Sequence, residues 1–169
     1  MLAHAEIVVG APDGDLPRAT LAVIGRAREL ARLALKIGED AVAAFLAQAP
    51  DTVKKYWGRE RPIEIRPTSL THYLSREKLE PEAHIWVRAS GLVPDDRHYQ
   101  AAILAYLSDM TLLDTSLYAH GTSIFDPELQ VASLDHAMWF HRPFRVDDWL
   151  LFVQRPLVTA GGRGLALGH

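Results

Sequence analysis

No cysteine occurs among the 169 residues of this chain. The absence excludes disulfide bonds, thiolate metal ligands and a cysteine nucleophile, and it favours a reducing compartment, so we expect a cytoplasmic protein. Basic residues are not in excess, since 18 Lys and Arg stand against 21 Asp and Glu, and nucleic acid is not an expected partner. No apolar run approaches the roughly 20 residues of a membrane span. Hydrophobic residues make up 49% of the chain, which is enough for a real core.

The first 50 residues predict a helical extension. Residues 7–9 favour a short strand, and the apolar spacing over residues 19–37 and 39–48 is typical of helices. The character of the chain changes at Pro50, where alternating strand-like patterns begin. We therefore predict two parts, an extension over residues 1–50 and a single domain over residues 51–169.

The second part predicts strands around one helix. The strand patterns cover residues 63–67, 84–89, 130–141, 149–154 and 163–169. The helix is predicted over residues 99–117, with Asp95 or Asp96 as a capping residue before it. Because this helix is apolar on nearly all sides, we expect it to be buried. This order of elements indicates an α+β fold with the sheet wrapped around the helix.

One carboxylate stands out on physical grounds. Asp109 lies in the middle of the predicted helix, one turn from Ala105 and one turn from Leu112. A carboxylate at a buried position must be paired, hydrogen-bonded or protonated, because an isolated buried charge is strongly unfavourable. Two interpretations stay open. Asp109 either fixes a polar network in the core, or it faces a pocket and acts as a base or holds a water.

The run from Ser133 to Phe144 combines a hydroxyl, a carboxylate, two imidazoles and a guanidinium with large apolar side chains. Its members Asp135 and His136 suggest a hydrolase triad with Ser133. Successive strand residues point to opposite faces, so we expect His136 on the other face and reject the contiguous triad. The eight histidines show no metal-ligand spacing, so neither a metal nor another cofactor is expected.

Residues 131–144, VASLDHAMWFHRPF, form the most specific of several motifs. The shorter motifs are RPIEIRP at 61–67, HIWVRA at 84–89, YLSD at 106–109, WLL at 149–151 and GRGLA at 162–166. Together, from about residue 51 onward, they resemble the C-terminal half of the acyl-CoA thioesterase II family. The resemblance implies a hotdog fold, in which a long buried helix is wrapped by a curved antiparallel sheet.

The resemblance also implies an activity and a site. Members of this family hydrolyse fatty acyl-CoA to free fatty acid and CoA without a metal. Their helical aspartate falls on Asp109 and the hydroxyl residue of the following strand falls on Ser133, so these are the expected catalytic residues. Both side chains are expected to orient and activate a water for attack on the thioester carbonyl.

The sequence departs from the family pattern in two respects. The family's glutamine near the C-terminus has no counterpart, because Gln130 and Gln154 do not occupy its position, and residues 1–50 do not resemble the first of the family's two hotdog units. We therefore expect an incomplete hotdog domain whose open sheet edge and uncovered helix face favour a homo-oligomer or pairing with another hotdog unit. Weak or absent hydrolysis by this chain alone is expected. The alternative is a non-catalytic fragment that binds acyl-CoA or another hotdog chain.

Overall fold

The structure, a computed structural model, describes residues 2–9 and 39–169. Its elements in chain order are β1 (Leu2–Val9), α1 (Glu39–Gln48), α2 (Asp51–Trp57), β2 (Ile63–Pro67), a 3-10 turn (Thr71–Tyr73), β3 (Ala83–Ala89), α3 (Arg97–Ser108), α4 (Leu112–Tyr118), β4 (Ala132–Phe140), β5 (Leu150–Ala160) and β6 (Arg163–Gly168).

The predicted elements before residue 50 are confirmed where they are described. The strand predicted at residues 7–9 is part of β1, and the helix predicted at residues 39–48 is α1. The helix predicted over residues 19–37 lies outside the described residues. The division of the chain at residue 50 stays a prediction.

Within the described residues the strands form one sheet in the order β2-β3-β5-β6-β1-β4. The pairs β2–β3, β3–β5 and β5–β6 are antiparallel, as expected. β1 lies between β6 and β4 and is parallel to both of them. The expected α+β architecture is confirmed, and the parallel strand inserted next to β4 is a feature that the sequence does not predict.

β3 shows how the sequence places the core. Every second residue of this strand is buried, beginning with Ala83 and including Ile85 and Val87, so one face of the strand packs inward. The helices contribute the opposing apolar side chains, among them Leu107 and Leu112, which are each exposed by 2% or less. The core therefore lies between this face of the sheet and the helices α3 and α4.

The helix predicted over residues 99–117 is interrupted in the structure. Asp109 ends α3, and Thr111 has a non-helical backbone with φ −128° and ψ −11° before α4 begins. The backbone N–H of Met110 donates to the Leu107 carbonyl at 3.3 Å, which tightens the last turn of α3. The apolar pattern continues through residues 110–113 and gives no sign of this break. At the other end of α3, Asp96 caps the helix as predicted, because its carboxylate accepts from the backbone N–H of His98 at 2.7 Å.

The two helices differ in burial, so the expectation of a helix buried on all sides holds for only one of them. Six of the seven residues of α4 are buried. α3 buries one side only, and its tyrosines Tyr99 and Tyr106 are 60% and 54% exposed. β4 is likewise mostly exposed, and Met138 is its residue that packs against the core. α3 and β4 therefore both present apolar side chains to solvent.

Candidate active site

Asp109 and Ser133 are brought together by the fold. The Ser133 hydroxyl of β4 donates a hydrogen bond to Oδ1 of Asp109 at 2.9 Å. Asp109 stands where α3 ends, and Ser133 stands near the start of β4, so the pair joins the helix break to the sheet. The structure thus places the two expected residues in direct contact across 24 positions of sequence.

The expected burial of Asp109 is wrong. Because the helix breaks at this residue, its side chain lies at the surface, and both Asp109 and Ser133 are exposed. A carboxylate in contact with solvent does not need the buried partners that a core position demands. Asp109 is therefore not the centre of a polar network in the core. An exposed carboxylate that is hydrogen-bonded to a hydroxyl is instead suited to hold a water.

His136 lies closer to this pair than strict alternation predicts. In the pairing of β1 with β4, Ala3 lies opposite Ser133, but the next residue, His4, lies opposite Asp135. One β4 residue is therefore skipped, and the register of the pair shifts at this point. Such a bulge exchanges the two faces of a strand. As a result, His136 Nε2 lies 3.1 Å from the hydroxyl of Ser108, the residue before Asp109. The sequence carries no signal for this bulge, so the alternation of strand residues predicted His136 on the face away from Ser133.

A buried side-chain amide forms a hydrogen bond with the segment between α3 and α4. Nε2 of Gln154 on β5 donates to the Thr111 hydroxyl at 2.6 Å, and both residues are buried. In the described part of the chain the other amide atom, Oε1 of Gln154, is buried without a hydrogen-bond partner. Gln154 therefore joins β5 to the Thr111 side chain, two residues after Asp109.

A second polar cluster surrounds α4. The Tyr73 hydroxyl donates to Oδ2 of Asp114 at 2.6 Å. The ring of His72 lies between Tyr73 and Tyr118, with ring centroids 3.7 Å and 4.4 Å away. His72 Nε2 is 3.8 Å from the same Asp114 oxygen. These groups, which sequence reasoning missed, line a cavity of about 240 Å³ whose walls include neither Asp109 nor Ser133.

The tyrosines of this cluster give a pH prediction. Burial first, and then the charge of Asp114, raise the pKa of Tyr73 and of Tyr118 above the ordinary 10.0. The folded chain keeps protons that the unfolded chain loses above that pH. Their contribution to the free energy of unfolding is therefore complete below pH 10.0 and is lost as pH rises toward the folded pKa values.

The measurement is an alkaline titration followed by tyrosinate absorbance. Asp114→Asn is expected to lower the pKa of Tyr73 and of Tyr118, because the negative charge that opposes their ionisation is gone. Asp148→Asn, which removes an exposed carboxylate outside the cavity wall, is the matched control and should leave the curve in place. If the titration curve of Asp114→Asn is unchanged, the charge of Asp114 does not raise the pKa of these tyrosines.

Among residues 43–169, whose side chains the structure describes, no group of three or more His, Cys, Asp or Glu side chains is placed to hold a metal ion. None of the helices in the described part of the chain has both the length and the apolar character needed to cross a membrane.

Comparison with known proteins gives one consistent result. Residues 53–169 match the model of the acyl-CoA thioesterase family. The chain is 35% identical over 120 residues to acyl-CoA thioesterase 2 of Haemophilus influenzae, covering 71% of this chain and 42% of that protein. It is 35% identical over 122 residues to human acyl-coenzyme A thioesterase 8, covering 71% of this chain and 37% of the human protein. The chain thus spans about two fifths of the length of these curated relatives.

Proposed function

Because this chain belongs to the acyl-CoA thioesterase family, we propose that it hydrolyses fatty acyl-CoA to free fatty acid and CoA. The observation that carries the proposal is the 2.9 Å hydrogen bond between Ser133 and Asp109. It joins the two residue types that the family resemblance assigns to the reaction, and it does so at an exposed place that substrate and water can reach. The names of the relatives support the same substrate class.

The pair supports attack by a water on the thioester. The Asp109 carboxylate accepts a proton from the water, and the Ser133 hydroxyl holds that carboxylate in one orientation. The water oxygen forms a bond to the acyl carbon, the carbon–sulfur bond breaks, and the sulfur leaves as the thiolate of CoA. The thiolate takes up the proton that Asp109 accepted, so the carboxylate is restored, and the acyl group leaves as a fatty acid.

The exposed apolar surface supports association as part of this function. Tyr99 and Tyr106 on α3, and Leu134, Trp139 and Phe140 on β4, are each at least 44% exposed. Large apolar side chains that are exposed to this extent favour an interface. A homo-oligomer, or pairing with another hotdog unit, covers this surface and encloses the open Asp109–Ser133 pair. We propose that the protein is cytoplasmic and acts in fatty acid metabolism.

Substitution of Ser133 tests the site. Ser133→Ala is expected to lower the turnover of acyl-CoA about 10-fold or more, because the Asp109 carboxylate loses the donor that orients it. Ser133→Thr keeps the hydroxyl and is expected to keep most of the activity. Release of CoA is measured with a thiol reagent, and the absence of cysteine means that the protein itself does not react.

The series of substrates and variants makes the outcome decisive. Medium-chain and long-chain acyl-CoA are compared at equal protein concentration. A Ser133→Ala variant with the turnover of the unmodified chain contradicts the role of Ser133. Binding of acyl-CoA without any hydrolysis by the unmodified chain contradicts the proposed reaction and favours the non-catalytic alternative.

A further inference from the structure

The cavity beside α4 is walled by aromatic rings. Trp57, Tyr73 and Tyr118 line it together with the imidazole of His72. The rings of Trp57 and Tyr73 meet edge to face, with centroids 6.0 Å apart, so they form adjoining walls. The cavity of about 240 Å³ has room for a small organic molecule of several non-hydrogen atoms. We call it the α4 cavity.

The titratable groups of the α4 cavity are mainly acidic. Its carboxylates are Asp114, Glu80 and Glu82, and its lining residues include neither Lys nor Arg. Its two histidines are His72 and His84, and Nε2 of His84 lies 3.4 Å from a carboxylate oxygen of Glu82. Asp114 is 6% exposed and accepts a hydrogen bond from the Tyr73 hydroxyl, a neutral donor. Its other close partner is the His72 imidazole at 3.8 Å. The described lining therefore disfavours an anion, such as a phosphate of CoA or a fatty acid carboxylate, and favours a cation.

Aromatic rings and a buried carboxylate both favour a cationic ligand. The face of an aromatic ring is electronegative and attracts a cation within about 6 Å, most strongly when the site is desolvated. A carboxylate supplies the compensating charge. We propose that the α4 cavity binds an organic ammonium cation, with Asp114 as its counter-ion and the rings of Trp57, Tyr73 and Tyr118 as its walls.

The α4 cavity is separate from the Asp109–Ser133 pair, because neither of these residues lines it.

Choline and its uncharged analogue 3,3-dimethylbutan-1-ol test the proposal, because they have the same shape and differ in charge. By isothermal titration calorimetry, choline is expected to bind the full chain at least about 10-fold more tightly than the alcohol. Equal affinity for the two compounds, or no heat from choline at millimolar concentration, overturns the proposal.

Variants assign the effect to residues. Asp114→Asn is expected to weaken choline binding about 10-fold or more and to leave the alcohol unchanged, whereas the control Asp148→Asn changes neither. Trp57→Leu removes one wall and is expected to weaken choline binding. Tyr118→Phe keeps its ring and is expected to keep the affinity for choline.

Circular dichroism establishes that each variant is folded. If Asp114→Asn does not fold, the comparison of choline with the alcohol on the unmodified chain and on Trp57→Leu decides the matter. Choline binding that survives both Asp114→Asn and Trp57→Leu places the ligand elsewhere and overturns the proposal. All of these readouts measure binding and do not depend on acyl-CoA hydrolysis.

Discussion

Replacement of Asp109 with asparagine is expected to lower the rate of acyl-CoA hydrolysis at least about 100-fold, the usual contribution of a positioned general base. Asparagine has nearly the same shape and still accepts the hydrogen bond from Ser133, but its amide cannot take a proton from the attacking water. The effect should fall on turnover and leave KM nearly unchanged, because the proton moves only in the transition state. Thiol release under substrate saturation measures the difference.

The double variant separates a shared role from two independent roles. Asp109 and Ser133 act through one hydrogen bond, so Asp109→Asn combined with Ser133→Ala should be hardly slower than Asp109→Asn alone. Asp148→Asn is the control for the loss of a surface carboxylate. If Asp109→Asn retains the turnover of the unmodified chain, Asp109 is not the base, and any hydrolysis comes from another site.

The second large effect is on stability. Gly121→Ala is expected to lower the free energy of unfolding by about 3 kcal/mol. Gly121 has φ +64°, in the left-handed region, and it follows the end of α4. A Cβ at this position would overlap the backbone carbonyl of Arg76, which cannot move aside as a flexible side chain can. Chemical denaturation followed by circular dichroism measures the loss.

Gly161 provides the matched control for backbone strain. It also has a left-handed backbone, with φ +56°, but a Cβ built on it meets no atom within 4 Å. Gly161→Ala should therefore lower the free energy of unfolding by only about 1 kcal/mol, the effect of the backbone conformation alone. Equal losses for the two variants would contradict the overlap with Arg76.

Local patterns predicted the elements whose environment is local. The alternation in residues 84–89 predicted a strand, and β3 (Ala83–Ala89) buries every second residue. Asp96 caps α3 because a carboxylate can reach a backbone N–H two residues ahead, an interaction that needs no tertiary partner. These features follow from a few neighbouring residues, so the sequence alone contains them.

The features that the sequence did not predict depend on distant partners. The break at residues 109–111 interrupts a continuous apolar pattern, and the Gln154 amide that braces it comes from β5. The bulge in β4 depends on its pairing with β1. Asp114 lies in no recognised motif, and its hydrogen-bond donor, Tyr73, is 41 residues away in the sequence. Family resemblance identified Asp109 and Ser133, but their exposure was visible only in the assembled structure.

The position of β1 has a consequence for folding. β1 pairs with β4 and β6, whose residues are made long after Leu2–Val9. Pairing over such a distance requires a large loop to close, which is slow because the chain loses entropy before it gains contacts. We expect β1 to join the sheet late, with the antiparallel strands already in place. During that interval β6 and β4 lack their shared neighbour, and their open backbone groups can pair with another chain. Dilution or slower synthesis should therefore improve the yield of folded protein.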